Sequence, residues 1–78
     1  MTQDADVIRR VVDGEVDAFR LLVERYQRPV LCFVRNMIGD PHCSEDLAQD
    51  VFLAAFQKLH TFDADRGRFL TWLLVIAR

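Results

Sequence analysis

Cysteine, proline and glycine are scarce in this sequence, at two, two and three residues among 78. Cys32 and Cys43 share no CxxC spacing, which excludes a disulfide framework and a zinc ribbon and leaves two free thiols. His42 and Cys43 are adjacent and His60 lies further on, but nothing repeats a ligand pair, so no metal and no cofactor is expected. Long hydrophobic runs are also missing. The longest, WLLVIA at 72–77, falls far short of the roughly 20 residues a membrane span needs. The first ten residues, MTQDADVIRR, balance two Asp against two Arg and hold no apolar stretch, so they read as neither a signal nor a transit peptide, and a cytoplasmic protein without a membrane partner is expected. Basic charge is not in excess either. Ten Lys and Arg stand against twelve Asp and Glu, a net charge of −2. That excludes a grip on nucleic acid by bulk electrostatics; any such contact is local or borrows its affinity from a larger partner.

No strand-like alternation, internal repeat or low-complexity segment occurs. No GxSxG, P-loop or HExxH motif occurs either, and the carboxylates between residues 45 and 50 come with no histidine or second acid set apart in an apolar pocket. Binding, not catalysis, is the class that remains. With 51% hydrophobic and 28% charged residues the composition is globular. A chain this short is one domain and buries only about 60% of the surface its unfolded form exposes, so nearly every apolar side chain is needed in the core.

The pattern is helical throughout. Val7, Ile8, Val11 and Val12 predict a short amphipathic helix over 4–13, ended by Gly14. Phe19, Leu22, Val23, Tyr26, Val30, Phe33, Val34 and Met37 recur at threes and fours and predict a second helix from about Glu15 to Ile38. The stripe keeps its phase across Pro29, which predicts a kinked helix and not a break. Gly39 stops it, and Asp40 or Ser44 caps a third helix with Pro41 in its first turn. That helix runs to about Leu59 with Leu47, Ala48, Val51, Phe52, Ala55, Phe56 and Leu59 inward. After Phe62 the charged stretch 63–67 predicts a loop, with Gly67 at positive φ and Arg66 able to pair with Asp63. A fourth helix begins near Arg68, with Phe69, Trp72, Leu73 and Ile76 as its stripe. Trp72 is expected in the core and Phe69 partly exposed at the loop edge. The pattern is still running at Arg78, so the natural chain is expected to continue. The fold class is an all-α compact bundle of about four helices, the fourth truncated.

The segment SEDLAQDVFLAAFQKLHTFDADRGRFLTWLLVIAR, residues 44–78, resembles region two of the sigma-70 family of bacterial transcription initiation factors, in the compact form of its extracytoplasmic-function group. Glu45, Asp46, Leu47, Gln49, Val51, Phe52, Leu53, Ala55, Leu59, Phe62, Asp63, Arg66, Gly67, Phe69, Trp72, Leu73, Ile76, Ala77 and Arg78 match the family pattern in order, and residues 14–40 resemble its first conserved helix. The resemblance implies a domain that docks on the clamp helices of the largest RNA polymerase subunit and melts promoter DNA at the minus-ten element. It implies an anti-sigma factor as a further partner, and a linker and second DNA-reading domain beyond Arg78.

Carried over residue by residue, the resemblance assigns polymerase docking to Asp46, Gln49, Asp50 and Leu53, with Pro29 and Cys32 as an extension of that surface. It assigns promoter contact to Arg66, Arg68, Phe69, Thr71 and Arg78, with the loop capturing an unstacked base. Taken without it, Asp46, Gln49 and Asp50 read as a solvated helix face. Four positions depart from the family pattern: Asp50 for glutamate, Phe56 for tryptophan, Ala64 for proline and Leu70 for a basic residue. The last removes one possible DNA contact. A helical protein-interaction module with no DNA role is the other reading that the residues permit.

Overall fold

A computed structural model describes residues 3–39 and 41–77, with the side chains of 3, 38 and 41–43 outside the description. Four α-helices follow in chain order: α1 Gln3–Val12, α2 Phe19–Ile38, α3 Pro41–Lys58 and α4 Phe69–Ala77. Single 3-10 turns at Val16–Ala18 and Leu59–Thr61 lead into α2 and out of α3. No strand occurs among the described residues.

The hydrophobic periodicity becomes one shared core. α1 contributes Val7, Ile8 and Val11, α2 contributes Phe19, Leu22, Val30 and Val34, and α3 contributes Ala48, Val51, Phe52 and Ala55. α4 closes the bundle with Phe69, Leu73 and Ala77, a row at four-residue spacing. Ser44 is fully buried among these residues and has an intramolecular partner. Among the described residues no buried side-chain nitrogen or oxygen lacks a hydrogen bond.

Several expectations are corrected. α2 begins at Phe19, because the Gly14 turn and a 3-10 turn absorb the residues before it. The stripes are narrower than the sequence suggested. Val12 and Met37, each in the last turn of its helix, are about half exposed at 50% and 47%. Ser44 lies inside the first turn of α3 and does not cap it, and Asp40 lies outside the described residues. α2 continues through Pro29 as one helix. Gly39 does end it in the left-handed conformation, φ 81°, donating its N–H to the Arg35 carbonyl at 2.7 Å. Gly14 has φ 117° after α1, whereas Gly67 is not at positive φ. The 63–68 loop makes its turn without the left-handed conformation expected there.

Three polar contacts tie α1 down. Arg10 donates to Glu15 across the Gly14 turn, and that bond holds the Glu15 carboxyl below its ordinary range. At the other end of α1, Asp4 accepts from the Arg25 guanidinium on Oδ1 and from the Tyr26 hydroxyl on Oδ2.

Leu73, fully buried on α4, should be a sensitive core position. Leu73→Ala is expected to destabilise by about 2 to 5 kcal/mol, lowering the thermal midpoint by roughly 8 °C or more in a domain of this size. Val75→Ala, at a position 60% exposed on the same helix, should stay within about 0.5 kcal/mol of the parent. Thermal denaturation of the pair followed by circular dichroism measures the difference.

Candidate functional site

α3 has two distinct faces. Its inner face carries Ala48, Val51, Phe52 and Ala55 into the core. Asp46, Gln49, Asp50 and Leu53 stand at i, i+3, i+4 and i+7, one stripe of a 3.6-residue helix, and all four are exposed. Leu53 is 56% exposed although apolar. Glu45, Asp46 and Asp50 form no salt bridge among the described residues, so this face presents uncompensated negative charge. The structure therefore brings together the four α3 residues that the sequence singled out.

It does not bring Pro29 and Cys32 to them. Beside Gln49 runs a groove of about 240 Å³ between α2 and α3, lined from α2 by Val23, Gln27 and Leu31 and from α3 by Glu45, Ala48, Gln49 and Phe52. Val23, Gln27 and Leu31 are spaced by fours on one side of α2. Pro29, two residues from both Gln27 and Leu31, points about 160° away from them at 100° per residue, and Cys32 about 100° from Leu31. Cys32 is a free, exposed thiol on that other flank. Gln27 and Leu31 were missed in the sequence; the signal that could have found them is their four-residue spacing on the α2 flank that faces α3.

The second region is the loop between α3 and α4. Residues 63–68 are all exposed. Asp63 organises the turn: its carbonyl accepts from the Arg66 amide at 3.0 Å and its Oδ1 accepts from the Asp65 amide at 2.9 Å. Arg66 Nε lies 3.7 Å from Asp63 Oδ2, an exposed pair of the kind the sequence allowed. Arg68 forms no salt bridge among the described residues.

Under the loop lies an aromatic cluster. The Phe69 ring centroid is 5.4 Å from Tyr26, 5.5 Å from Phe62 in an edge-on contact and 5.7 Å from Trp72, and Phe62 and Trp72 are 5.3 Å apart. Phe69 is only 3% exposed, whereas Trp72 is half-buried. The expected roles of these two aromatics are thus reversed. The buried row of α4 runs through Phe69, Leu73 and Ala77, leaving Trp72 one position round the helix at its edge. There Trp72 lines a cavity of about 240 Å³ with Phe62, Asp63, Arg66, Gly67, Arg68 and Thr71. Arg66, Arg68 and Thr71 are brought together at this mouth, while Phe69 sits beneath it; Arg78 lies outside the described residues. His42 and Cys43, the residues weighed as metal ligands, have side chains outside the description.

These surfaces give a helical domain with a carboxylate-rich exposed stripe on one helix and a charge-balanced, aromatic-floored loop at a separate place. The chain matches the sigma-70 region 2 family over residues 22–78 and belongs to it. It is 35% identical over 78 residues to the ECF RNA polymerase sigma factor SigK of Mycobacterium sp. (strain KMS), covering 99% of this chain and 40% of that protein. It is 37% identical over 75 residues to the RNA polymerase sigma-H factor of Pseudomonas aeruginosa, covering 96% and 38%. To the ECF RNA polymerase sigma factor SigW of Bacillus subtilis (strain 168) it is 37% identical over 70 residues, covering 90% and 37%. The chain spans about 40% of the length of these relatives.

Tyr26 is the chain's single tyrosine, so its ionisation can be followed alone. Burial, then the hydrogen bond to Asp4 and the Asp4 charge, push its hydroxyl from 10.0 up to about 12, with the Arg25 charge opposing. A raised pKa on this acid means that the fold favours the neutral phenol. The contribution is fully present below pH 10 and is lost as pH rises through about 12. Tyrosinate absorbance should titrate near the upper value in the parent and move back toward the lower one in Asp4→Ala.

Proposed function

We propose that this chain is the polymerase-docking and promoter-melting domain of an alternative sigma factor of the extracytoplasmic-function type, acting in transcription initiation by binding and not by catalysis. The observation that carries the reading is the exposed stripe of Asp46, Gln49, Asp50 and Leu53, which leaves two carboxylates with no salt bridge among the described residues and a leucine 56% exposed on the face where the family docks. Its partner is the basic clamp-helix surface of the RNA polymerase core, and an anti-sigma factor would compete for the same face. The groove bounded by Gln27 and Leu31 extends this surface more directly than Pro29 and Cys32 do. Such a protein works in the cytoplasm, where polymerase is.

The loop supplies the DNA contact. A base leaving the duplex needs a pocket with an aromatic wall and polar partners, and the cavity at Trp72, Thr71, Arg66 and Arg68 offers both. Phe69 supports that pocket from below. The loop charges Asp63, Asp65, Arg66 and Arg68 cancel, so the domain has little phosphate affinity of its own and relies on polymerase to bring DNA to it.

Gln49→Ala and Asp50→Arg are expected to weaken binding to a purified clamp-helix fragment by at least roughly tenfold, with thermal stability nearly unchanged because both residues are exposed. Unchanged affinity in both variants would favour a helical interaction module with another partner.

Neutralising the loop arginines in the full-length natural protein with polymerase should reduce open-complex formation more than polymerase binding. Arg68→Ala should act more strongly than Arg66→Ala, since only Arg66 is engaged by Asp63. Each lost phosphate contact on a single strand should flatten the log-log salt dependence by about 0.7. Equal losses of docking and melting would assign both arginines to structure.

A further inference from the structure

The loop and α1 face each other across a cavity of about 370 Å³. Asp4 and Ala5 form its α1 side, Ala64, Gly67 and Arg68 its loop side, and Tyr26, Phe62 and Phe69 its floor. What connects the two sides is the floor. Asp4 accepts the Tyr26 hydroxyl proton, the Tyr26 ring lies 5.4 Å from Phe69, and Phe69 is the first residue of α4, where the loop ends. Phe62, at the other end of the loop, stands edge-on to Phe69 at 5.5 Å and 89°. Both anchors of the loop therefore bear on a ring whose third neighbour is held by α1. The family match begins at Leu22, so Tyr26 and Phe69 fall within it and Asp4 does not.

We propose that Asp4 and Tyr26 are positioning residues for the 63–68 loop, with the Asp4–Tyr26 hydrogen bond fixing the Tyr26 ring against Phe69 and so setting the separation of the loop's two anchors. α1 thereby controls the order of the loop that it faces across the cavity. The consequence for promoter melting rests on the function proposed above; the effect on the loop itself does not.

Amide hydrogen exchange in this chain tests the second point. The Asp65 and Arg66 amides, both bonded to Asp63, report the loop, and the Gln49 amide in the middle of α3 reports the bundle. Tyr26→Phe, which keeps the ring, and Asp4→Ala should each accelerate the two loop amides about three- to tenfold, the scale of one net hydrogen bond. Gln49 should change less than twofold. The double variant should be no faster than the faster single variant, because both remove the same bond. Asp4→Asn, which keeps an acceptor oxygen, should recover most of the protection. Unchanged loop amides, equal acceleration at Gln49, or additive effects in the double variant would each overturn the proposal.

Open-complex formation by the full-length natural protein with polymerase then separates the two ideas. The same variants should lower it about three- to tenfold with polymerase affinity unchanged. If the loop amides respond but the parent opens no promoter, the functional reading fails and the positioning role stands. If the parent opens promoters and the amides do not respond, the reverse holds.

Discussion

The enclosure of the Phe69 ring by Tyr26, Phe62 and Trp72 joins the part of the molecule that folds to the part that is exposed for use. Residues 63–68 bury nothing of their own, and the Asp63 turn contacts that hold them are short-range and solvent-facing. Such a loop takes its position from where its ends are fixed. Phe62 and Phe69 fix them against one another, and each aromatic contact adds about 0.5 to 1.5 kcal/mol beyond the area it buries. In a 78-residue chain, where total stability is of the order of 5 to 10 kcal/mol, a cluster of this size is a large share of the margin. The platform for the loop and the lid of the core are the same side chains.

α3 solves a related problem on the other side of the bundle. A helix that gave its whole apolar content to the core would leave nothing for a partner, and a small domain has few helices to spare. α3 divides its circumference instead. Ala48, Val51, Phe52 and Ala55 pack inward, Phe56 lies at the margin in a T-shaped contact with Phe19 at 5.2 Å, and Leu53 is left outward among carboxylates. An exposed leucine flanked by charges suits an interface with an apolar centre and a polar rim. The groove beside Gln49 continues that face onto α2, so the surface is built by the helix pair and not by one helix.

The four helices and their inward faces were legible because periodicity and burial share one cause. The stripe on α3 came from the family resemblance, since spacing alone reads Asp46, Gln49 and Asp50 as a solvated helix face, and the structure shows all three and Leu53 exposed along one side of the helix. What was lost depended on geometry between elements. Pro29 and Cys32, about one turn apart on α2, read as an extension of the α3 surface, but which flank of α2 faces α3 is set by packing, and spacing within α2 is silent on it. Phe69 and Trp72 were interchanged for a similar reason: a stripe at 69, 72, 73 and 76 is symmetric about two rotations of α4, and Tyr26, far away in sequence, chooses between them. Gly67 misled through composition, since a glycine in a loop invites a positive φ that this turn does not use. The Asp4 contacts, spanning 21 and 22 residues, left no local signal at all.

Charge distribution connects these features. The net charge of −2 is not spread evenly over the surface. The α3 face holds Glu45, Asp46 and Asp50 with no salt bridge among the described residues, whereas the loop charges cancel and one of its two arginines is engaged by Asp63. An acidic face steers a basic protein surface toward it over about a Debye length, near 8 to 10 Å at physiological salt, and repels duplex DNA over the same range. A neutral loop does neither. On the function proposed above, electrostatics would order association: protein first, through α3, then nucleic acid, at a loop whose affinity is too small to act without the partner already in place.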